Sequence, residues 1–184
     1  PMIKRRFNGL RVLAGVGTLV LAACAGPNLN SLQPGVSTLS AVEATMGQPS
    51  MVWKNPDGSE QLAFAQGPVG VDTYMVFLGV DGKLQRISSV LNDRHFDQIQ
   101  AGMTKEQVLR KIGPPGAPWT ATYPRSNTLA WTWLYCASAN FQNYFNVMFD
   151  ASTGLVRSTG YSPVMLGRQG VAPNCIQSSY NAGG

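Results

Sequence analysis

Three cysteines and one histidine are the side chains of this sequence best equipped for chemistry: Cys24, Cys136, Cys175 and His95. A thiolate is a nucleophile and a metal ligand, and a thiol pair can oxidise to a disulfide. An imidazole serves as acid, base or ligand near neutral pH. Their spacing assembles no reactive site. One histidine and two cysteines cannot close a standard zinc site, and no ligand spacing is present. His95 lies between Arg94 and Phe96 and reads as a surface or capping histidine. There is no Gly-x-Ser-x-Gly, no His-Glu-x-x-His and no Gly-rich phosphate loop. The 9 acidic residues are scattered outside any acid–base frame. Asp81 and Asp150 adjoin turns and are assigned to turn geometry, and the methionines to core filling. The expectation is therefore a chain without catalytic residues, metal or cofactor.

Cys24 has a distinctive neighbourhood. A basic cluster (Lys4, Arg5, Arg6, Arg11) precedes an apolar run from Val12 to Leu21, which ends in Leu21-Ala22-Ala23. A positive start, a short apolar core and small residues form an export signal with its cut site. The run is too short to span a bilayer, which takes about 20 apolar residues. Gly26-Pro27-Asn28-Leu29-Asn30-Ser31 follows as a polar tether, not a positive stop-transfer segment. Leu21-Ala22-Ala23-Cys24 closely resembles the signal of bacterial lipoproteins. That resemblance implies cleavage before Cys24, lipid on its sulfur and amino group, and a membrane-anchored protein facing the periplasm. Residues 1–23 are read as signal peptide and 24–34 as lipidated cysteine plus tether. Export and cleavage without lipid is the alternative.

The formal charge of +5 does not indicate a nucleic-acid partner. Four of the 14 basic residues precede Cys24, leaving 10 basic against 9 acidic residues and a net of +1. Without a basic patch or run, phosphate-backbone binding has no electrostatic source. In an oxidising compartment Cys136 and Cys175 remain as an even pair, and a disulfide is expected between them. Two buried free thiols are the alternative.

The elements carrying these residues come in two copies. Thr38, Val42, Met46, Gly47, Pro49 and Trp53 recur as Thr104, Val108, Ile112, Gly113, Pro115 and Trp119 at an offset of 66. Phe77, Gly82 and Leu84 recur as Phe149, Gly154 and Val156 at an offset of 72. Thr104 and Gln107 form a capping box opening a helix. Val108, Leu109 and Ile112 are expected on one face of it, and Gly113-Pro114-Pro115 ends it. Leu39, Val42 and Met46 give the equivalent stripe in the first copy, and residues 95–99 suggest a short helical turn. Strands are expected at 61–65, 73–78 and 84–91, then at 128–136, 144–149 and 156–161. Asp81-Gly82 and Thr153-Gly154 stand at hairpin turns, and Gly67-Pro68-Val69-Gly70 reads as a loop between strands. Helices before short-linked strands predict an α+β class with antiparallel sheets.

Alternation along 128–136 sends Leu129, Trp131, Trp133 and Tyr135 to one face, assigned mostly to the core. The loop and strand-edge aromatics Trp53, Trp119, Tyr123, Phe141 and Tyr144 are expected to form a binding surface, because exposed aromatics mark such sites. The tail, residues 163–184, reads as a surface extension pinned by Cys175.

Gly102-Met103-Thr104, Val108, Gly113-Pro114-Pro115, Trp131-Thr132-Trp133, Val147-Met148-Phe149-Asp150 and Gly154-Leu155-Val156 together resemble the BamE (SmpA/OmlA) family of small outer-membrane lipoproteins. The resemblance covers residues 95–162, with a weaker copy upstream. It implies two units, 35–92 and 93–162, each with helical segments followed by a three-stranded antiparallel sheet. The tandem also resembles the architecture of beta-lactamase inhibitory protein. Ala25 after Cys24 resembles lipoproteins sent to the outer membrane. The implied role is a non-catalytic protein- or lipid-binding module in envelope or outer-membrane protein assembly or integrity, partnered by the membrane and by an envelope protein such as the barrel-assembly machinery. A tethered inhibitor of a secreted or periplasmic enzyme is the alternative.

Overall fold

The computed structural model describes residues 28–66, 70–138, 140–166, 170 and 173–175. The signal segment, Cys24, residues 67–69 and most of the C-terminal extension lie outside the described residues.

The first helix, α1 (Leu39–Met46), is capped by Thr38, whose hydroxyl accepts from the Ala41 N–H. Four strands follow: β1 (Met51–Lys54), β2 (Glu60–Ala65), β3 (Thr73–Leu78) and β4 (Leu84–Ser89). They pair in order as one antiparallel sheet. A single helical turn, α2 (Asp93–Phe96), leads to α3 (Lys105–Ile112). The α3 capping box forms in full: Gln107 N–H donates to the Thr104 hydroxyl at 3.2 Å, and Thr104 N–H donates to the Gln107 Oε1 at 2.8 Å. The second sheet comprises β5 (Ala121–Tyr123), β6 (Thr128–Cys136), β7 (Gln142–Asp150) and β8 (Val156–Pro163), again antiparallel in sequence order.

The two halves share one local device. Leu84 N–H donates to the Ser37 carbonyl at 2.7 Å, and Val156 N–H donates to the Met103 carbonyl at 2.8 Å. In each half the residue before the helix cap thus accepts from the first residue of the last strand.

The fold class differs from the expected α+β arrangement with three-stranded sheets. Among the described residues strand accounts for 42% and helix for 21%, so the fold they form is mostly β, with two four-stranded antiparallel sheets. The added edge strands are β1 and β5. They are four and three residues long, too short for a period of two to be read. The turn after β1 is held by Asp57, whose Oδ1 accepts from the Ser59 N–H at 2.9 Å.

Packing follows from three apolar groups. Val42 of α1 packs with Leu32, Leu62, Phe64, Val76, Leu78 and Leu84 on one face of the first sheet. Trp53, Ala63, Met75 and Val90 cluster on the other face, with Leu109 of α3 against them. Val108 and Ile112 of α3 join Phe96, Trp133, Phe145, Val147 and Phe149 on the inner face of the second sheet. Leu109 therefore does not share a face with Val108 and Ile112. Consecutive helical residues diverge by about 100°, which lets α3 grip both sheets. The layers run α1, first sheet, α3, second sheet. Burying Val108 and Ile112 completely contributes roughly 1.5–3 kcal/mol each. Among the described residues no helix is long and apolar enough to cross a membrane.

Candidate functional site

Side-chain alternation divides the second sheet into two unlike faces. Trp131, Trp133, Phe145, Val147 and Phe149 point inward to α2 and α3. The opposite, outer face takes the alternate positions. Its cross-strand neighbours are Ala130–Met148–Ser158, Thr132–Asn146–Gly160 and Leu134–Tyr144–Ser162. Neither α2 nor α3 packs on this face; the short 3-10 turn Ala117–Trp119 lies at one edge of it, where Leu134 is buried.

Asn146 organises the centre of the outer face. Its Oδ1 accepts from the Thr132 hydroxyl at 2.7 Å, and its Nδ2 donates to the Ser162 Oγ at 3.0 Å. This ladder satisfies the polar groups across three strands and fixes the Asn146 amide. One border is aromatic. The Trp119 ring tilts against Tyr144 with centroids 5.3 Å apart and planes at 60°. Trp119 is set there by its own segment: Gly116 N–H donates to the Thr132 carbonyl at 3.0 Å, and Trp119 N–H donates to the Gly116 carbonyl at 2.9 Å. The indole lies so close that a Cβ on Gly116 would sit 2.3 Å from its Cε3. A cleft of about 290 Å³ opens beside it, lined by Ser50, Asp72, Pro115, Trp119 and Leu134 among others.

Of the five aromatics expected on a binding surface, Trp119 and Tyr144 meet here. Tyr123 is 55% exposed at the end of β5, opposite Thr128, and Phe141 is 47% exposed where the chain bridges to Asn174. These two flank the sheet and do not join the Trp119–Tyr144 pair. Trp53 does not belong to the surface. It is 8% exposed, packed on Ala63 and Met75, with the Arg110 guanidinium 5.5 Å from its ring centre. The reason is α3, which covers that face of the first sheet. Cys24 lies outside the described residues. Cys136 and Cys175 are disulfide-bonded with Cα atoms 5.8 Å apart. The bond holds the 173–175 segment on the start of β7, where Gln142 N–H donates to the Pro173 carbonyl at 2.9 Å.

The titratable groups do not converge on the outer face. His95 places Nδ1 2.9 Å from the Asn92 Oδ1 at the cap of α2. Burial holds its pKa below the ordinary value, and Arg94, Arg86 and Lys111 add to the effect. Asp150, at the end of β7, accepts from the Thr153 and Ser152 N–H groups of the following turn at 2.8 and 2.9 Å and pairs with Arg157. These bonds, that from Thr153 first, hold its pKa at about 2. Tyr161 is pushed up, chiefly by burial and then by Asp93. Among the described residues no three His, Cys, Asp or Glu side chains gather where they could hold a metal ion. The outer face thus offers an aromatic edge, small side chains and amide or hydroxyl groups, which suit non-covalent recognition.

The Asn146 ladder escaped sequence reasoning, although the alternation of β7 does put Tyr144, Asn146 and Met148 on one face. Polar residues in a strand read only as solvent-facing until their cross-strand partners are known. No protein-family model, no curated protein and no solved structure matches the chain.

Proposed function

We propose that this chain is a non-catalytic lipoprotein, anchored by lipid on Cys24 to the periplasmic side of the outer membrane, that uses the outer face of its second sheet to bind an envelope protein. The observation carrying this reading is the Trp119–Tyr144 pair at the border of a sheet face on which α1, α2 and α3 do not pack. Aromatic anchors beside a shallow cleft are the residue types that dominate protein–protein binding energy, and antiparallel sheets can leave one face to solvent. The export signal with Cys24, and the resemblance of residues 95–162 to the BamE family, support the location and a barrel-assembly partner.

The layer order supports an orientation. Leu29 and Leu32 pack on the α1 side of the first sheet. Three residues lie between Cys24 and Asn28, so four peptide steps give a reach of at most roughly 14 Å. The described chain is therefore entered on the α1 side of the stack, at the opposite end from the outer face of the second sheet.

Photo-crosslinking in living cells tests this reading. A photoreactive residue at Trp119 or Tyr144 is expected to capture an envelope protein. The same residue at Val80, 71% exposed on the first unit, is expected to capture none. Fatty-acid label on the wild-type chain should vanish in Cys24→Ala. Equal adducts from all three positions, or none, would refute the surface; label surviving Cys24→Ala would refute the anchor. Adducts with a periplasmic hydrolase and none with the barrel machinery would transfer the reading to a tethered inhibitor.

A further inference from the structure

The junction of the two units holds a second feature, independent of the outer face. Between the inner side of the first sheet and the pair α2–α3 lies a cleft of about 460 Å³. Arg86, Arg110, Lys111 and His95 line it, and no acidic residue does. We propose that this cleft is a binding site for the phosphate group of a small phosphomonoester.

The charge inventory carries the argument. Arg110 is committed elsewhere: its Nε donates to Glu106 at 3.2 Å and its Nη1 to the Asn55 Oδ1 at 3.0 Å. Arg86 lies 3.7 Å over the Phe77 ring, and no carboxylate among the described residues pairs with it. Lys111 donates to the Gln98 Oε1 at 3.2 Å, a neutral acceptor, and no carboxylate among the described residues pairs with it. Two unneutralised cations thus line one concavity. Both also act on His95, whose pKa they depress together with burial and Arg94.

Neutral donors complete the lining. Gln107 uses its Oε1 to cap α3, which leaves its NH₂ to donate. Ser88 contributes a hydroxyl. A phosphomonoester carries about −1.5 to −2 charges at pH 7 and three acceptor oxygens. Two cations and two neutral donors match that charge and acceptor count better than they match a single carboxylate. The cleft volume falls in the range of small-molecule sites, roughly 300–1,000 Å³, which exceeds the need of a bare ion. Phe77 and Val90 supply an apolar wall for the organic part.

The cleft exists only because α3 of one unit lies on the sheet of the other. Gln61 of β2 donates to the Arg110 carbonyl at 2.6 Å and so fixes the two walls against each other. The two walls are therefore set before any ligand arrives, which lowers the ordering cost of binding.

His95 is the only histidine, so its ring signals report on the cleft without assignment. The full chain in non-ionic detergent is titrated with inorganic phosphate and with phenyl phosphate, at an ionic strength fixed with potassium chloride. Saturable movement of the His95 signals is expected, with phenyl phosphate the tighter ligand. Arg86→Gln/Lys111→Gln should weaken phenyl phosphate about tenfold or more, the loss of charge-assisted hydrogen bonds. Lys105→Gln/Arg125→Gln removes equal charge away from the cleft and should leave affinity unchanged. Arg86→Gln alone, at an exposed position, repeats the test with little risk to folding. Movement that never saturates, or equal loss in both double variants, overturns the site. Equal affinity for the two probes overturns the ester and assigns the cleft to free phosphate.

Discussion

Trp133 of the second sheet donates its indole N–H to the Gly113 carbonyl at 3.2 Å. Gly113 meanwhile presses on the first sheet, so this one residue is clasped between the two halves. Its φ is +75°, and a Cβ built there would stand 2.7 Å from the Thr73 Cγ2 and 3.7 Å from Ala63 and Met75. Gly47 ends α1 in the same way, with φ +81°, but a Cβ there meets nothing within 4 Å. Gly113→Ala therefore incurs backbone strain plus a clash, and Gly47→Ala the strain alone. The expected difference is about 1–3 kcal/mol, the usual cost of overpacking. Urea unfolding of the two variants measures it, and equal midpoint shifts would contradict the clasp.

The Cys136–Cys175 bond closes a separation of 39 residues. Constraining that loop in the unfolded chain is worth roughly 4 kcal/mol. The pair Cys136→Ala/Cys175→Ala is expected to lose most of that amount. It should also lose amide protection at Gln142 and Cys175, whose N–H groups bond to Pro173 and Asn140. Hydrogen exchange at those two amides separates a local release from global loosening. Protection there equal to wild type would show that the segment is held without the bond.

Local signals were legible and contacts between units were not. The α3 helix announces itself through Thr104 and Gln107 at its start and Gly113-Pro114 at its end. The long strands β6 and β7 run nine residues each, enough for alternation to show. The short edge strands β1 and β5 gave no such run, and missing them shifted the expected class from mostly β to α+β. Trp53 was misplaced for a different reason. Its burial depends on Leu109 and Arg110, which lie more than 50 residues later. Only the stacking of one unit on the other turns an edge aromatic into a core residue. The Trp119–Tyr144 pairing was half-visible: both residues stand out by type, but their meeting depends on the Gly116–Thr132 hydrogen bond.

Arg110 offers a direct measure of that stacking. It covers Trp53, bonds Asn55 and pairs with Glu106. Glu106 is the more exposed partner, at 55% against 36% for Arg110, and exposed i,i+4 pairs are worth about 0.3–0.5 kcal/mol. Glu106→Gln should therefore change stability by no more than about 0.5 kcal/mol. Arg110→Met keeps the apolar stem but loses the cation over Trp53 and the bond to Asn55, an expected cost of about 1–2 kcal/mol. Unfolding midpoints with Trp fluorescence decide between the two. An Arg110→Met effect no larger than that of Glu106→Gln would mean that the contact between units contributes little.

Asp150 gives a pH dependence with a definite sign. The bonds from Thr153 and Ser152, with the Arg157 guanidinium, hold its carboxyl at about 2 against an ordinary 3.8. A carboxylate depressed in the folded state stabilises fully above its unfolded value. That contribution is lost as pH falls from about 4 toward 2. Arg157 also donates to the Ser126 carbonyl at 2.9 Å and to the Thr128 hydroxyl at 3.3 Å, so the group ties the β7–β8 turn to the start of β6. Asp150→Asn is expected to be less stable than wild type near neutral pH and to converge with it near pH 2. Asp57, depressed mainly by the Ser59 hydroxyl in the first unit, contributes in the same direction and is present in both proteins, so it cancels in the difference. Urea midpoints of the two proteins from about pH 2 to pH 6 give the test. A gap between them that stays constant with pH would show that the carboxyl is not held in its charged form by the fold.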